Sequence, residues 1–337
     1  MDSLNGTSTM NDTNETSHDT ALENPLLNLT PEGFVHGLLA FIALAMLLGL
    51  PGNFLVVLVH WRIKTPTATD WVVFYIAVCD ICSLIVCGPS FILSMTKLWN
   101  LFMPSIMCSF HFMIVHTCFI ASTFLIAVSA VICRSVMINN REPMSARTSK
   151  LFGAFVIFCS IGLGSPAIVL HKNTPSGFCY NDKQKAQLQT IVFAVYLLIT
   201  LISNAITSVC YLNIIPKICN ATRVAPTDLD NVNDVFVRTR RAAIKVSICL
   251  ALVSVVFLFS TVVPLVVATL LSASNHNVGV AVNTLIFVLS RLYFMNNFTN
   301  PLIYLFINRR FRHRVRMLFK RSRINTVNAI NAHSGIF

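Results

Sequence analysis

The sequence predicts an all-α membrane protein: a seven-transmembrane helix bundle with a short amphipathic C-terminal surface helix. Three observations carry this. The 337 residues are 55% hydrophobic and only 11% charged, too apolar for an ordinary soluble domain of this length. Several apolar runs exceed the ~20 residues that a helix needs to cross a bilayer. One of them, Trp71–Met95, holds a lone carboxylate, Asp80, ~15 Å deep at ~1.5 Å per residue. A charge at that depth is costly by at least ~2.5 kcal/mol, faces the bundle interior and marks a functional site. The bland alternative is a protonated Asp80 bonded to a neighbouring helix with no further role.

Residues 1–33 form a polar tail rich in Asn, Thr and Asp. No basic stretch precedes an apolar one there, so no cleaved signal peptide is expected. The tail carries acceptor patterns for N-glycosylation at Asn5, Asn11, Asn14 and Asn28, which makes it an expected extracellular, glycosylated segment. The patterns at Asn220 and Asn297 are discounted, because the topology puts them inside the cell and inside the membrane.

The central domain, 34–307, contains seven apolar runs: Val35–His60, Trp71–Met95, Ile106–Ile138, Lys150–Leu170, Gln187–Ile218, Arg238–Leu271 and Gly279–Phe306. Breakers such as Thr65-Pro66-Thr67, Met103-Pro104-Ser105 and Thr174-Pro175-Ser176-Gly177 separate them. Short connections make neighbouring helices antiparallel. Basic residues fix the orientation. Arg62, Lys64, Arg134, Arg141, Arg147, Lys150, Lys217, Arg223, Arg238 to Lys245 and Arg309 to Arg323 all fall on one side. That side is cytoplasmic by the positive-inside rule, so the N-terminus lies outside and the C-terminus inside, at the plasma membrane. The net charge of +12 therefore reflects topology, and nucleic acid is not an expected partner.

Residues 308–320 predict the surface helix. Phe311, Val315, Leu318 and Phe319 recur at helical spacing between Arg309, Arg310, Arg312, Arg314 and Arg316. An apolar stripe in a basic helix lies along the inner leaflet, so the bilayer itself is a partner. Residues 321–337 form a cytoplasmic tail whose hydroxyl residues are Ser322, Thr326 and Ser334.

The seventh run ends in Asn300-Pro301-Leu302-Ile303-Tyr304, with Phe311 seven residues beyond. Proline removes a backbone bond, and a polar group must satisfy the freed carbonyl; Asn300 itself is the local candidate. Gly52-Asn53 in the first run and Asp80 in the second occur in order before it. The pattern resembles the rhodopsin-like (class A) family of G-protein-coupled receptors, from about Val35 to Phe319.

The resemblance implies further assignments. Cys108 and Cys179 correspond to the family's disulfide on the oxidising side. Asn53, Asp80, Asn296, Asn300 and either Ser122 or Thr123 would surround a sodium ion, for which hard oxygen ligands are suited; a water-filled network without an ion is the alternative. No other cofactor is expected. Arg134, Tyr211 and Tyr304 would meet a heterotrimeric G protein. Arrestin control through the short tail would be limited.

Departures from the family pattern are equally informative. Its Asp-Arg-Tyr appears as Cys133-Arg134-Ser135, and no Asp or Glu follows Asp234. Arg134 thus lacks both usual carboxylates, which predicts elevated activity without ligand; weak or absent coupling is the competing expectation. Val262 replaces the tryptophan before Pro264, and the fourth run has no tryptophan. Val115 stands where an amine-binding acid would be, and Phe294 where a retinal-linking lysine would be. Amine ligands are therefore not expected, and retinal is excluded, since a Schiff base needs an amine.

An extracellular ligand would meet His111, Val115, His116, Tyr196, Arg291 and Tyr293. A peptide is the favoured ligand class, an acidic small molecule the other. His111 and His116 are five residues apart, ~140° around a helix, so they are not a metal pair. A seven-helix transporter or channel is the rival function, opposed by the lack of an internal repeat. An enzyme is not expected: no His-Glu-x-x-His occurs, nor a second membrane acid beside Asp80.

Overall fold

The computed structural model describes residues 32–95, 105–139, 144–173, 179–181, 183–223, 234–273, 285, 288–289 and 291–320. The expected glycosylation sites Asn5, Asn11, Asn14 and Asn28 and the tail 321–337 lie outside them. Span one is Glu32–Trp61, span two Ala68–Met95, span three Ser105–Asn139 and span four Ala146–Gly164, continued by the turn Ala167–Leu170. Span five is Ala186–Arg223, span six Asp234–Ala273, and the described part of span seven is Tyr293–Ile307. Among the described residues, five helices are long and apolar enough to cross a membrane, and span six adds the apolar stretch Ile248–Val263. In hydrocarbon every backbone group must be satisfied within its own segment, so helices are the form these runs take.

The bundle is turned inside out relative to a soluble protein. Leu47, Phe158 and Phe259 are 70%, 74% and 65% exposed, whereas Asn53, Asp80, Asn296 and Asn300 are each 1% exposed. Polar side chains hidden among helices and large apolar ones outside mean that the surrounding solvent is lipid.

The segment between spans four and five holds the only strands among the described residues, a two-stranded antiparallel hairpin. Strand β1, His171–Asn173, pairs with β2, Cys179–Asn181, in the register His171 to Asn181. The hairpin sits on span three, where the Ser109 hydroxyl donates to the His171 carbonyl at 3.3 Å.

Small residues set the closest helix approaches, as membrane packing favours. A Cβ on Gly52 would stand 2.7 Å from Pro301 Cγ, and one on Gly49 3.2 Å from both the Asn297 carbonyl oxygen and Phe298 Cβ. Spans one and seven can touch only because both are glycine. Gly153 plays the same part in span four, where the Tyr75 ring occupies the space a side chain would need. The Tyr75 hydroxyl donates to the Lys150 carbonyl at 2.9 Å, and Ser149 donates to the Ala68 carbonyl at 2.9 Å. These contacts join spans two and four without the missing tryptophan. Span four begins with a capped end: the Ser145 hydroxyl accepts from the Thr148 N–H at 3.1 Å.

A helix covers 309–320. Asn308 Oδ1 accepts from the N–H groups of Arg310 and Phe311, starting it. Phe311 is buried against Tyr304, with ring centroids 6.1 Å apart. Arg312 donates to the carbonyls of Leu305 and Phe306 at the end of span seven. Arg314 pairs with Asp70 of span two at 3.1 Å, so the surface helix is tied to two spans.

Candidate functional site: a polar core between spans one, two and seven

Pro301 has no N–H, so the carbonyl four residues earlier, that of Asn297, loses its helical donor. Span one supplies the replacement. Asn53 Nδ2 donates to the Asn297 carbonyl at 2.7 Å and to the Gly49 carbonyl at 3.0 Å. The freed carbonyl, the asparagine of span one and the two glycines that let it approach form one device. Asn300, the local candidate for that role, is committed elsewhere: its Nδ2 donates to Asp80 Oδ2 at 2.9 Å.

Two further residues complete the core, and sequence reasoning missed both. Asn297 Nδ2 donates to Ser83 Oγ at 2.9 Å, and Ser83 Oγ shares a 2.6 Å hydrogen bond with the Tyr293 hydroxyl. Ser83 lies three residues after Asp80, on the same face of span two, which was the available signal. Asn297 was visible only as a discounted glycosylation pattern. Tyr293, expected in the ligand cavity, turns its hydroxyl into this core. Asn296, expected beside Asp80, is buried, yet neither of its amide atoms makes a hydrogen bond among the described residues. The face of span seven aimed at span two carries Asn297 and Asn300, three apart, and Asn296 lies to its side. Ser122 and Thr123 are both buried, and Thr123 donates to the Phe119 carbonyl of its own helix at 2.8 Å.

Below this core lie Tyr304 and Tyr211, each with a buried hydroxyl that no hydrogen bond satisfies among the described residues. Tyr211 faces Ser129 and Ser254 without reaching hydrogen-bonding geometry. Cys133 is buried and Arg134 exposed. The one ion pair among the described residues for which geometry is resolved joins Arg314 to Asp70, not Arg134 to an acid.

The half of the bundle beside the hairpin gathers aromatic and imidazole rings. His171 of the hairpin stacks on Phe112 with centroids 3.7 Å apart and planes 9° apart. His116 lies 5.1 Å from the Tyr196 ring, and the Tyr196 hydroxyl donates to the Leu163 carbonyl at 2.8 Å. His111 is buried against Phe91, over whose ring Arg291 sits at 4.7 Å. Val115 packs on the apolar cluster that contains Phe294. Burial pushes the His171 imidazole down to about 4, although its hydrogen bond to the Ala167 carbonyl works the other way. Cys108 is buried and disulfide-bonded; the side chain of Cys179 lies outside the described residues.

The sequence model of the family described as 7 transmembrane receptor (rhodopsin family) matches residues 52–304. The chain belongs to the rhodopsin family of seven-transmembrane receptors. No curated protein matches it. This rhodopsin-family receptor is a multi-pass membrane protein and not an enzyme. In it the matched stretch opens on Gly52 of span one and closes on Tyr304 of span seven. The receptor has the buried Asp80, a proline inside span seven at Pro301, and Cys133 before Arg134.

Proposed function

We propose that this receptor sits in the plasma membrane with its N-terminus outside and transmits ligand binding to a heterotrimeric G protein. The observation that supports it is the hydrogen-bonded core from Asp80 through Asn300, Asn297 and Asn53, which couples three spans at mid-membrane. Ligand among spans three, five, six and seven favours the arrangement in which the inner end of span six moves outward. The shift is limited by the ligand's differential affinity for the two arrangements. Arg134, Tyr211 and Tyr304 then meet the G protein, which exchanges its nucleotide; no covalent chemistry is involved. A peptide is the ligand class we favour, because neither an amine-binding acid nor a retinal-linking lysine is present. We assign Cys179 as the partner of Cys108, and Asn5, Asn11, Asn14 and Asn28 as glycosylated.

A sodium ion fits the chemistry of the core. The side-chain oxygens of Asn53, Asn296, Asn297 and Asn300 make no hydrogen bond among the described residues, and Asp80 supplies the charge. Bound there, sodium would hold the resting arrangement by electrostatic attraction to these oxygens.

We further infer high activity without ligand, because Cys133 cannot hold Arg134. A charged hydrogen bond contributes ~1.5–3 kcal/mol. Exposure of Arg134 screens it toward ~1 kcal/mol, or ~5-fold in the equilibrium. The test is nucleotide exchange on a panel of purified G proteins by the full chain in nanodiscs, without ligand. Exchange well above empty nanodiscs, lowered ~5-fold by Cys133→Asp and unchanged by Cys133→Ser, is expected. Equal rates for empty discs, the natural chain and Cys133→Asp would refute coupling and basal activity together.

A further inference from the structure

A groove of about 370 Å³ opens on the bilayer-facing surface between spans three, four and five. That volume lies in the range of small-molecule sites, ~300–1,000 Å³. Phe124 and Val131 of span three, Phe152 of span four and Ile202 and Ile206 of span five form its walls, and Met144 closes the inner end. Val131, Phe152, Ile202 and Ile206 are all exposed, so the groove is continuous with the surface that the membrane covers. From Phe124 to Val131 it runs ~10 Å along the helix, within the ~15 Å of hydrocarbon that one leaflet provides. With Arg134 and Met144 at one end, that end points to the cytoplasmic side in the orientation proposed above, which puts the groove in the inner leaflet.

The inner mouth carries charge. Arg134 is exposed and follows Val131 by three residues, on the same side of span three. Cys210 follows Ile206 by four, on the same side of span five, and the Arg134 guanidinium lies within electrostatic reach of Cys210. A cation at the end of an apolar slot is complementary to a hydrocarbon chain with an anionic head. A sterol would fill the slot but would bring no charge to Arg134.

We propose that this groove seats one acyl chain of an anionic inner-leaflet phospholipid, with its net negative headgroup against Arg134. The lipid supplies from outside the bundle the negative charge that Cys133 does not, and so links span three to span five. Its effect on signalling rests on the coupling proposed above; its binding does not.

The test uses the full chain in phosphatidylcholine nanodiscs containing a minor fraction of phosphatidylserine with a diazirine on its acyl chain. After illumination, labelled peptides are mapped by mass spectrometry. Labelling should concentrate on 124–131 and 199–206. It should fall at least ~5-fold, the scale of one charged contact, in Ile202→Trp and separately in Ala127→Phe, which fill the groove from its two walls. Arg134→Gln should reduce capture of the phosphatidylserine probe to that of a phosphatidylcholine probe. The proposal is overturned by labelling spread evenly around the bundle, by equal capture of both headgroups in the natural chain, by a sterol diazirine labelling the groove in their place, or by unchanged labelling in a folded, monodisperse Ile202→Trp. No G protein is needed, so a receptor silent in the exchange assay still decides this question.

Discussion

Removing the Asn53 side chain tests the device that joins spans one and seven. In Asn53→Ala the Asn297 carbonyl keeps neither its helical donor, which Pro301 lacks, nor the 2.7 Å bond from Asn53 Nδ2. A buried carbonyl without a partner is unfavourable by ~1–3 kcal/mol, and the second bond, to the Gly49 carbonyl at 3.0 Å, is lost as well. The folded state should therefore weaken by ~2–3 kcal/mol. Pro301→Ala returns an N–H four residues after that carbonyl, so in the double variant the helix satisfies it again. The two changes should be non-additive, with a coupling of ~1–2 kcal/mol. The assay is thermal unfolding of the four proteins in nanodiscs, with reversibility established first. Additivity within ~0.5 kcal/mol would refute the idea that Asn53 exists to serve the proline-freed carbonyl.

Four other outcomes are expected. Gly52→Val should lower the unfolding midpoint, by overpacking of ~1–3 kcal/mol, because a Cβ there already meets Pro301 at 2.7 Å; an unchanged midpoint would show that spans one and seven are not in contact. Asn297→Leu should loosen the Ser83 and Tyr293 contacts by ~1 kcal/mol and change basal exchange, whereas Asn296→Leu, with no bond to lose, should change stability less. Asp70→Asn should speed hydrogen exchange in 309–320 with a salt-sensitive effect of at most ~1 kcal/mol, since Arg314 and Asp70 are 37% and 22% exposed. His171 makes the outer hairpin pH-sensitive. Its imidazole is held at about 4 against an ordinary 6.5, so the folded state binds the proton more weakly than the unfolded chain. Hairpin stability is then complete above about 6.5, falls as pH drops, and levels off below about 4. The protection of the 167–173 amides, taken relative to the intrinsic exchange rate at each pH, should fall between pH ~7 and ~5, and His171→Phe, which keeps a ring against Phe112, should flatten that dependence.

Much of the arrangement was legible in the chain because the bilayer enforces it. Twenty apolar residues in hydrocarbon have one stable form, and a cluster of Arg and Lys has one stable side. Asp80 announced an interior site because a carboxylate has no other tolerable place at that depth. The composition of that interior was harder to read. Helical spacing put Asn296 and Asn300 on one face, but a helix face is wide, and Asn297 fits beside Asn300 equally well. Tyr293 presented two surfaces, a ring for the cavity and a hydroxyl for the core; its sequence position did not say which end would matter. The groove between spans three, four and five left no motif at all, because ordinary lipid-facing residues line it.

The amino-acid order alone determined that the chain crosses the membrane and that a polar group must answer Pro301. The same order offered Asn300, one residue away, as the answer. Only the packed bundle decided for Asn53, 244 residues before Asn297, because Gly49 and Gly52 let span one come close enough for its amide to reach the Asn297 carbonyl. Hydrophobicity and charge act locally and can be read along a line. A hydrogen bond between helices depends on their separation and rotation, which no single segment encodes.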